Sequence, residues 1–218
     1  MTEPDTAHKF IDTLPRLGPE DRFRFRCDPT VACFNRCCSD LHLELSPYDL
    51  LRLRRALGMS GRHFLQEHAE VGRDADTGLP QVMLRMREDD NRTCPFLRES
   101  GCGLYADRPG ACRSYPVGRG ASLTGDGRLS EQFVLVREEH CLGLDDGPEW
   151  TARAWMKDQG MEQYNRFNDL HLHLLFKWRE RGRPLDEGRF QAVLLALYDA
   201  DDLERGLQLG HLLQVIGE

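Results

Sequence analysis

Cys27-Asp-Pro-Thr-Val-Ala-Cys33-Phe-Asn-Arg-Cys37-Cys38 places four thiols within twelve residues. The other four cysteines, Cys94, Cys102, Cys112 and Cys141, all fall in the first two-thirds of the chain, and the remaining third has none. This asymmetry predicts two parts. Residues 1–145 would form a cysteine-cluster part around a metal centre, and residues 146–218 a helical part packed on it as one globular unit. The expected fold is mainly α, with only a few short strands beside irregular cysteine-rich loops.

Soft thiolates select zinc, copper(I) or iron–sulfur clusters, and close pairs of them are delivered from turns so that backbone can wrap the ion. Here the spacings are Cys-x5-Cys-x3-Cys-Cys and then Cys-x7-Cys-x9-Cys-x28-Cys. The lack of any Cys-x2-Cys pair argues against a zinc ribbon and against a thioredoxin-like redox motif. A cluster, or an irregular site assembled from both halves, fits better. Candidate ligands are Cys33, Cys37, Cys38, Cys94, Cys102 and Cys112, joined by Cys27 and Cys141. Adjacent residues project in different directions on any regular backbone, so Cys37 and Cys38 should differ in role. One would be a ligand, and the other would pack or serve a second centre. Against all this stands the reading of free cysteines as small buried hydrophobes. His140 could replace a thiolate, or face solvent beside Cys141.

Working outward, Arg22-Phe23-Arg24-Phe25-Arg26 alternates as a strand should. Its arginines either face solvent or stabilise an anionic centre. Leu41 to Leu45 alternates again, and Ser46-Pro47-Tyr48-Asp49 carries the signals of a helix start, with Leu50, Leu53 and Leu57 at helical spacing and Gly58 as a stop. A second helix is expected from Ser60 to about His68, then a strand over Val82 to Met86. The second cysteine region is dense in Pro and Gly and reads as turns. Gly118 to Gly127 reads as a loop and Glu131 to Val136 as a strand. Helices follow over Trp150 to Gln159 and Met161 to about Arg181, the latter broken by Gly182 and Pro184. Further helices start at Asp186 and run around Leu209 to Ile216. His171 and His173, two apart on one helix, cannot form a metal pair and read as structural or surface residues.

Composition limits the function. With 218 residues the chain can bury a real core, and a formal net charge of −7 argues against nucleic acid as a partner. The longest apolar run, Ala192 to Tyr198, is seven residues, far short of a membrane span. Met1 to Thr6 has neither a basic nor an apolar export segment, so a cytoplasmic location is expected. In that reducing setting eight cysteines suit metal ligands or redox centres better than disulfides.

Cys-x5-Cys-x3-Cys-Cys, Cys94-Pro-Phe-Leu97, Gly101-Cys102-Gly-Leu-Tyr105, Asp107-Arg108-Pro109-x2-Cys112-Arg-x-Tyr-Pro116 and His140-Cys141 together resemble the YkgJ-type cysteine-cluster family, described as zinc- or iron-chelating. The likeness covers roughly residues 25–145. The usual family opening is a tighter Cys-x2-Cys-x2-Cys-Cys. The cysteine pattern is also similar to that of flagellin lysine methylases, which implies a [4Fe–4S] cluster as an alternative to zinc and brings in iron–sulfur-dependent protein methyl transfer as an alternative function. Neither resemblance supplies a substrate or a protein partner. Arg108 and Arg113 would either donate hydrogen bonds to ligand sulfurs or order the turn through Asp107. Tyr105 and Tyr115 read as packing. A metal-free disulfide switch is the third class of function.

Overall fold

In the computed structural model residues 13–181 and 184–217 are described; the N-terminal hexapeptide and Gly182 lie outside them. The fold is α+β, with 38% helix and 22% strand. This corrects the expectation of a mainly α protein. The excess strand comes from segments that lack apolar alternation. Val117–Leu123 (β7), expected as a loop, pairs along its whole length with Leu129–Leu135 (β8). Small residues are what this pairing needs: a Cβ on Gly118 would come within 2.9 Å of Val134. Leu144–Thr151 (β9) pairs with Arg22–Phe25 (β2) although its sequence is acidic and contains Gly and Pro.

Arginines in and just after β2 reach across to β9. Arg22 meets Glu149 at 2.9 Å, Arg26 meets Asp146 at 2.7 Å, and Arg24 donates to the Gly147 carbonyl at 3.0 Å. Phe23 and Phe25, on the opposite face, are buried against Trp155. The arginines thus serve the partner strand, as alternation on a half-buried strand allows.

All sheets are small and antiparallel. Arg16–Leu17 (β1) joins β8 and β7 in the order β1-β8-β7. Ala69–Arg73 (β3) pairs with Pro80–Leu84 (β4), and Leu97–Arg98 (β5) with Gly101–Cys102 (β6).

Among the described residues eight α-helices accompany them. Pro47–Ala56 (α1) and Gly61–His68 (α2) begin where the sequence predicts, and Gly110–Ser114 (α3) lies in the cysteine region. Ala152–Asp158 (α4), Glu162–Arg179 (α5), Glu187–Tyr198 (α6), Leu203–Gly206 (α7) and Leu209–Val215 (α8) follow. Helix α1 has a complete capping box: Ser46 Oγ accepts from the Asp49 amide while Asp49 accepts from the Ser46 amide at 2.9 Å. Its buried face, Leu50 and Leu53, meets the core shared with Phe64, Val82, Leu174 and Val193. Tyr48 stacks on Phe167 of α5 with ring centroids 4.6 Å apart. Arg119, with its side chain only 9% exposed, joins Glu131 of β8 to Asp169 of α5.

Candidate metal centre

The first cysteine segment is wound by successive tight turns. Val31, Phe34, Arg36 and Cys38 each donate to the carbonyl three residues earlier, and Asn35 adopts a left-handed φ of 71° just before a 3-10 turn at Arg36–Cys38. The segment then aligns with the second region: Ser39 pairs with Thr93, the Cys94 amide donates to the Cys38 carbonyl at 2.8 Å, and Asp40 donates to Arg92. Cys38 and Cys94 are thereby locked side by side.

From Cys94 the chain doubles back at once. The Leu97 amide donates to the Cys94 carbonyl, and the β5–β6 hairpin pairs Leu97 with Cys102. Gly101, at φ 118°, makes the turn where a Cβ would press on the Phe34 ring at 3.1 Å. Cys102 returns towards Cys94. Cys112 arrives on α3, whose Gly110 amide donates to Asp49 Oδ1 at 2.7 Å. The Trp155 indole donates to the Ser114 carbonyl at 2.7 Å, and Tyr164 Oη to the Arg108 carbonyl at 3.0 Å, so α4 and α5 hold both ends of this segment. On the far side the Leu142 amide donates to Cys33 Sγ at 3.1 Å, and Arg26 donates to the Gly143 carbonyl at 3.1 Å. These contacts bring Cys141 beside Cys27 and Cys33.

All eight cysteines are unpaired thiols. Cys33 is buried; Cys38, Cys94, Cys102 and Cys141 are half-buried; Cys27, Cys37 and Cys112 reach the surface. Loss of hydration pushes Cys27 up to about 11, with Cys37, Cys33 and Cys141 adding to it and the Arg108 guanidinium opposing. The Cys38 thiol donates to Cys37, which draws Cys37 below the usual thiol range and drives Cys38 far above it. Cys112 keeps an exposed edge, but protein around its other sides desolvates it, and with Cys94, Cys37, Cys102 and Asp49 near it the thiol is pushed to about 12. Cys94 is raised by burial, against the pull of Arg87. Among the described residues no three of these side chains, with or without His, Asp or Glu, form a ready-made ion-binding set. The thiols are neighbours that would have to draw together around an ion.

The donor chemistry nonetheless fits a soft metal. Sulfur is the dominant ligand atom present, and the Arg108 guanidinium, whose Nε is buried without a partner, lies near Cys27 and Cys37. The Tyr115 hydroxyl lies beside the Cys141 sulfur and the Glu138 backbone. Asp107 pairs with Arg52 at 2.8 Å, not with its neighbour Arg108. Arg108 stacks on Tyr105 at 3.9 Å and bonds Gln159. Two residues that hold the site escape sequence reading, Arg52 and the second oxygen of Asp49, because their partners lie more than fifty positions away. A groove of about 440 Å³ between α2, β3 and α6, lined by Leu65, Arg73 and Phe190, borders none of the cysteines.

A family model described as CxxCxxCC, a putative zinc- or iron-chelating domain, matches residues 26–142. Neither the curated proteins nor the solved structures yield a match.

Proposed function

The chain belongs to the CxxCxxCC family of zinc- or iron-chelating domains, and on that premise we propose that Cys27, Cys33, Cys37, Cys38, Cys94, Cys102, Cys112 and Cys141 are the metal ligands. The observation that carries this reading is the convergence of thiols distant in sequence, exemplified by the 2.8 Å hydrogen bond that locks Cys94 to Cys38. When bound, the metal supplies a cationic centre that holds the thiols ionised. The chain's own residues supply the ligand sulfurs, the Leu142 amide on Cys33 and the Arg108 charge beside Cys27 and Cys37.

The finer reading is an iron–sulfur cluster of the [4Fe–4S] type. Supporting it are the Leu142 amide on Cys33 and the Arg108 and Arg87 charges beside other thiols, since hydrogen bonds to sulfur and nearby cations stabilise such an anionic centre. In this reading residues 146–218 buttress the cysteine part through Trp155 and Tyr164, and β9 crosses residue 145 to join the two. A reducing cytoplasm suits the eight unpaired thiols.

Anaerobic purification followed by analysis for iron, zinc and acid-labile sulfide tests the proposal. Iron with equimolar sulfide and a broad visible band near ~400 nm supports a cluster. Zinc without sulfide or colour replaces the cluster with a zinc site. Protein that holds neither metal, and takes up neither when reduced, refutes chelation by these thiols.

A further inference from the structure

The thiols do not form one even group. The Cys94 amide is bonded to the Cys38 carbonyl, and the β5–β6 hairpin returns Cys102 to Cys94. Cys112 has Cys94, Cys37 and Cys102 as its thiol neighbours. On the other side Cys33 Sγ accepts from Leu142, the residue after Cys141, and the residue before Cys27 donates to Gly143. Cys27 has Cys37, Cys33 and Cys141 around it. Cys37 adjoins both groups, so the two meet at the Cys37–Cys38 pair.

Resting on the chelation reading above, we propose that the protein holds two adjoining metal centres, each with four cysteine ligands. Cys27, Cys33, Cys37 and Cys141 bind one; Cys38, Cys94, Cys102 and Cys112 bind the other. Coordination number supports the division. A structural zinc ion takes four protein ligands, and a cubane cluster likewise takes four thiolates, so eight thiols exceed what either centre uses and match two of them. The vicinal pair gains a physical role: its two sulfurs lie together, with Cys27 near Cys37 and Cys94 near Cys38, so the pair sits where the two centres adjoin. Each centre also has its own cation to offset thiolate charge: Arg108 beside Cys27 and Cys37, and Arg87 beside Cys94. On binding, the four thiols of a centre lose their protons to solvent and form four sulfur–metal bonds. The S–H contact between Cys38 and Cys37 is then exchanged for one bond to each metal.

The test uses the full chain purified without oxygen, and variants Cys27→Ala and Cys102→Ala, one from each set. Two centres predict about two zinc per chain, or about eight iron with eight sulfide. Each single variant should lose half the metal and the double variant nearly all. Because a variant could fail to fold, the wild-type chain stripped of metal and reduced is also titrated with Co²⁺, then alkylated and analysed by mass spectrometry. Saturation at about two equivalents, with the two sets of four cysteines protected as separate groups, supports the division. Saturation at one equivalent, or single variants that keep the wild-type circular dichroism yet lose all metal, overturns it while leaving chelation intact. Wild-type protein that binds no zinc, iron or Co²⁺ overturns chelation itself.

Discussion

Asp49 ties a helix start to a candidate ligand. One carboxylate oxygen accepts from the Ser46 amide and hydroxyl, at 2.9 and 2.7 Å, and the other accepts from the Gly110 amide at 2.7 Å, two residues before Cys112. The side chain is 5% exposed; burial raises its pKa and the hydrogen bonds oppose that. Asp49→Ala removes the cap and orphans the Gly110 amide, so it should destabilise the protein by about 2–3 kcal/mol in urea unfolding. Asp49→Asn, which keeps an acceptor, should cost less. Equal losses for the two would refute the anchoring role. The Ser46-Pro47-x-Asp49 pattern is legible because a capping box is local, whereas the Gly110 contact depends on how the chain folds back. His171 has the opposite character. Burial holds it at about 4, below the ordinary imidazole range, with Asp74 opposing. The unfolded chain therefore binds the extra proton first. Stability contributed by the neutral ring is complete above about pH 6.5 and lost as pH falls towards 4. The loss is at most about 3 kcal/mol, and smaller because part of the ring reaches solvent. Comparing urea midpoints at about pH 7 and about pH 4.5, wild type should lose more than His171→Gln. Parallel losses would show that His171 does not titrate in the fold.

Helices were the legible elements. Their apolar spacing, Ser46, Ser60 and Asp186 caps, and glycine stops are written within a few residues. Alternation also made β2, β4 and β8 legible as strands, whereas β7 and β9 were not. β7 is Val-Gly-Arg-Gly-Ala-Ser-Leu, loop-like by composition, and it is a strand because β8 supplies the hydrogen bonds and a close approach that only small residues permit. β9 pairs with β2 and meets Arg22 and Arg26 across the ladder, a cross-strand match that neither segment reveals alone. Gly61 shows how element contact overrides propensity. Alanine at a helical position is ordinarily better than glycine by about 1 kcal/mol. At Gly61, however, a Cβ would stand 2.2 Å from the Tyr198 carbonyl oxygen and 2.7 Å from Asp199 Cα, where α2 abuts the end of α6. Gly61→Ala should therefore destabilise by about 1–3 kcal/mol in thermal unfolding. Gly72→Ala, with nothing within 4 Å of its added Cβ, serves as the control. A Tm at or above wild type for Gly61→Ala would mean the two helices separate at little cost.

At the scale of the molecule, the cysteine loops and the core are secured differently. The core runs continuously from Phe23 and Leu50 through Val82 to Val193 and Leu212, drawing on segments both before and after residue 145. The cysteine segments enter it through Phe96, while Cys94 and Cys141 pack on it only partly and the buried Cys33 lies outside it. They are also held by arginines on backbone carbonyls, Arg87 on Pro95 and Arg113 on Ala106 and Gln159. All but three of the 29 basic residues are arginine, the side chain whose planar fork can hold two acceptors at once. A chain with its own core does not need metal to collapse, unlike a small zinc-dependent domain. Metal binding should therefore stabilise mainly the loops that carry the ligands. Chelator treatment of the reduced protein should leave the far-ultraviolet helical signal nearly unchanged. Amide exchange over residues 27–38 and 94–112 should accelerate about tenfold or more, equivalent to about 1.4 kcal/mol of local stability. Exchange in α5 and α6 should change little, because Leu174, Val193 and Leu197 are sealed in the core. Melting of those helices together with metal loss would instead mean that the centre, and not the apolar core, holds the molecule together.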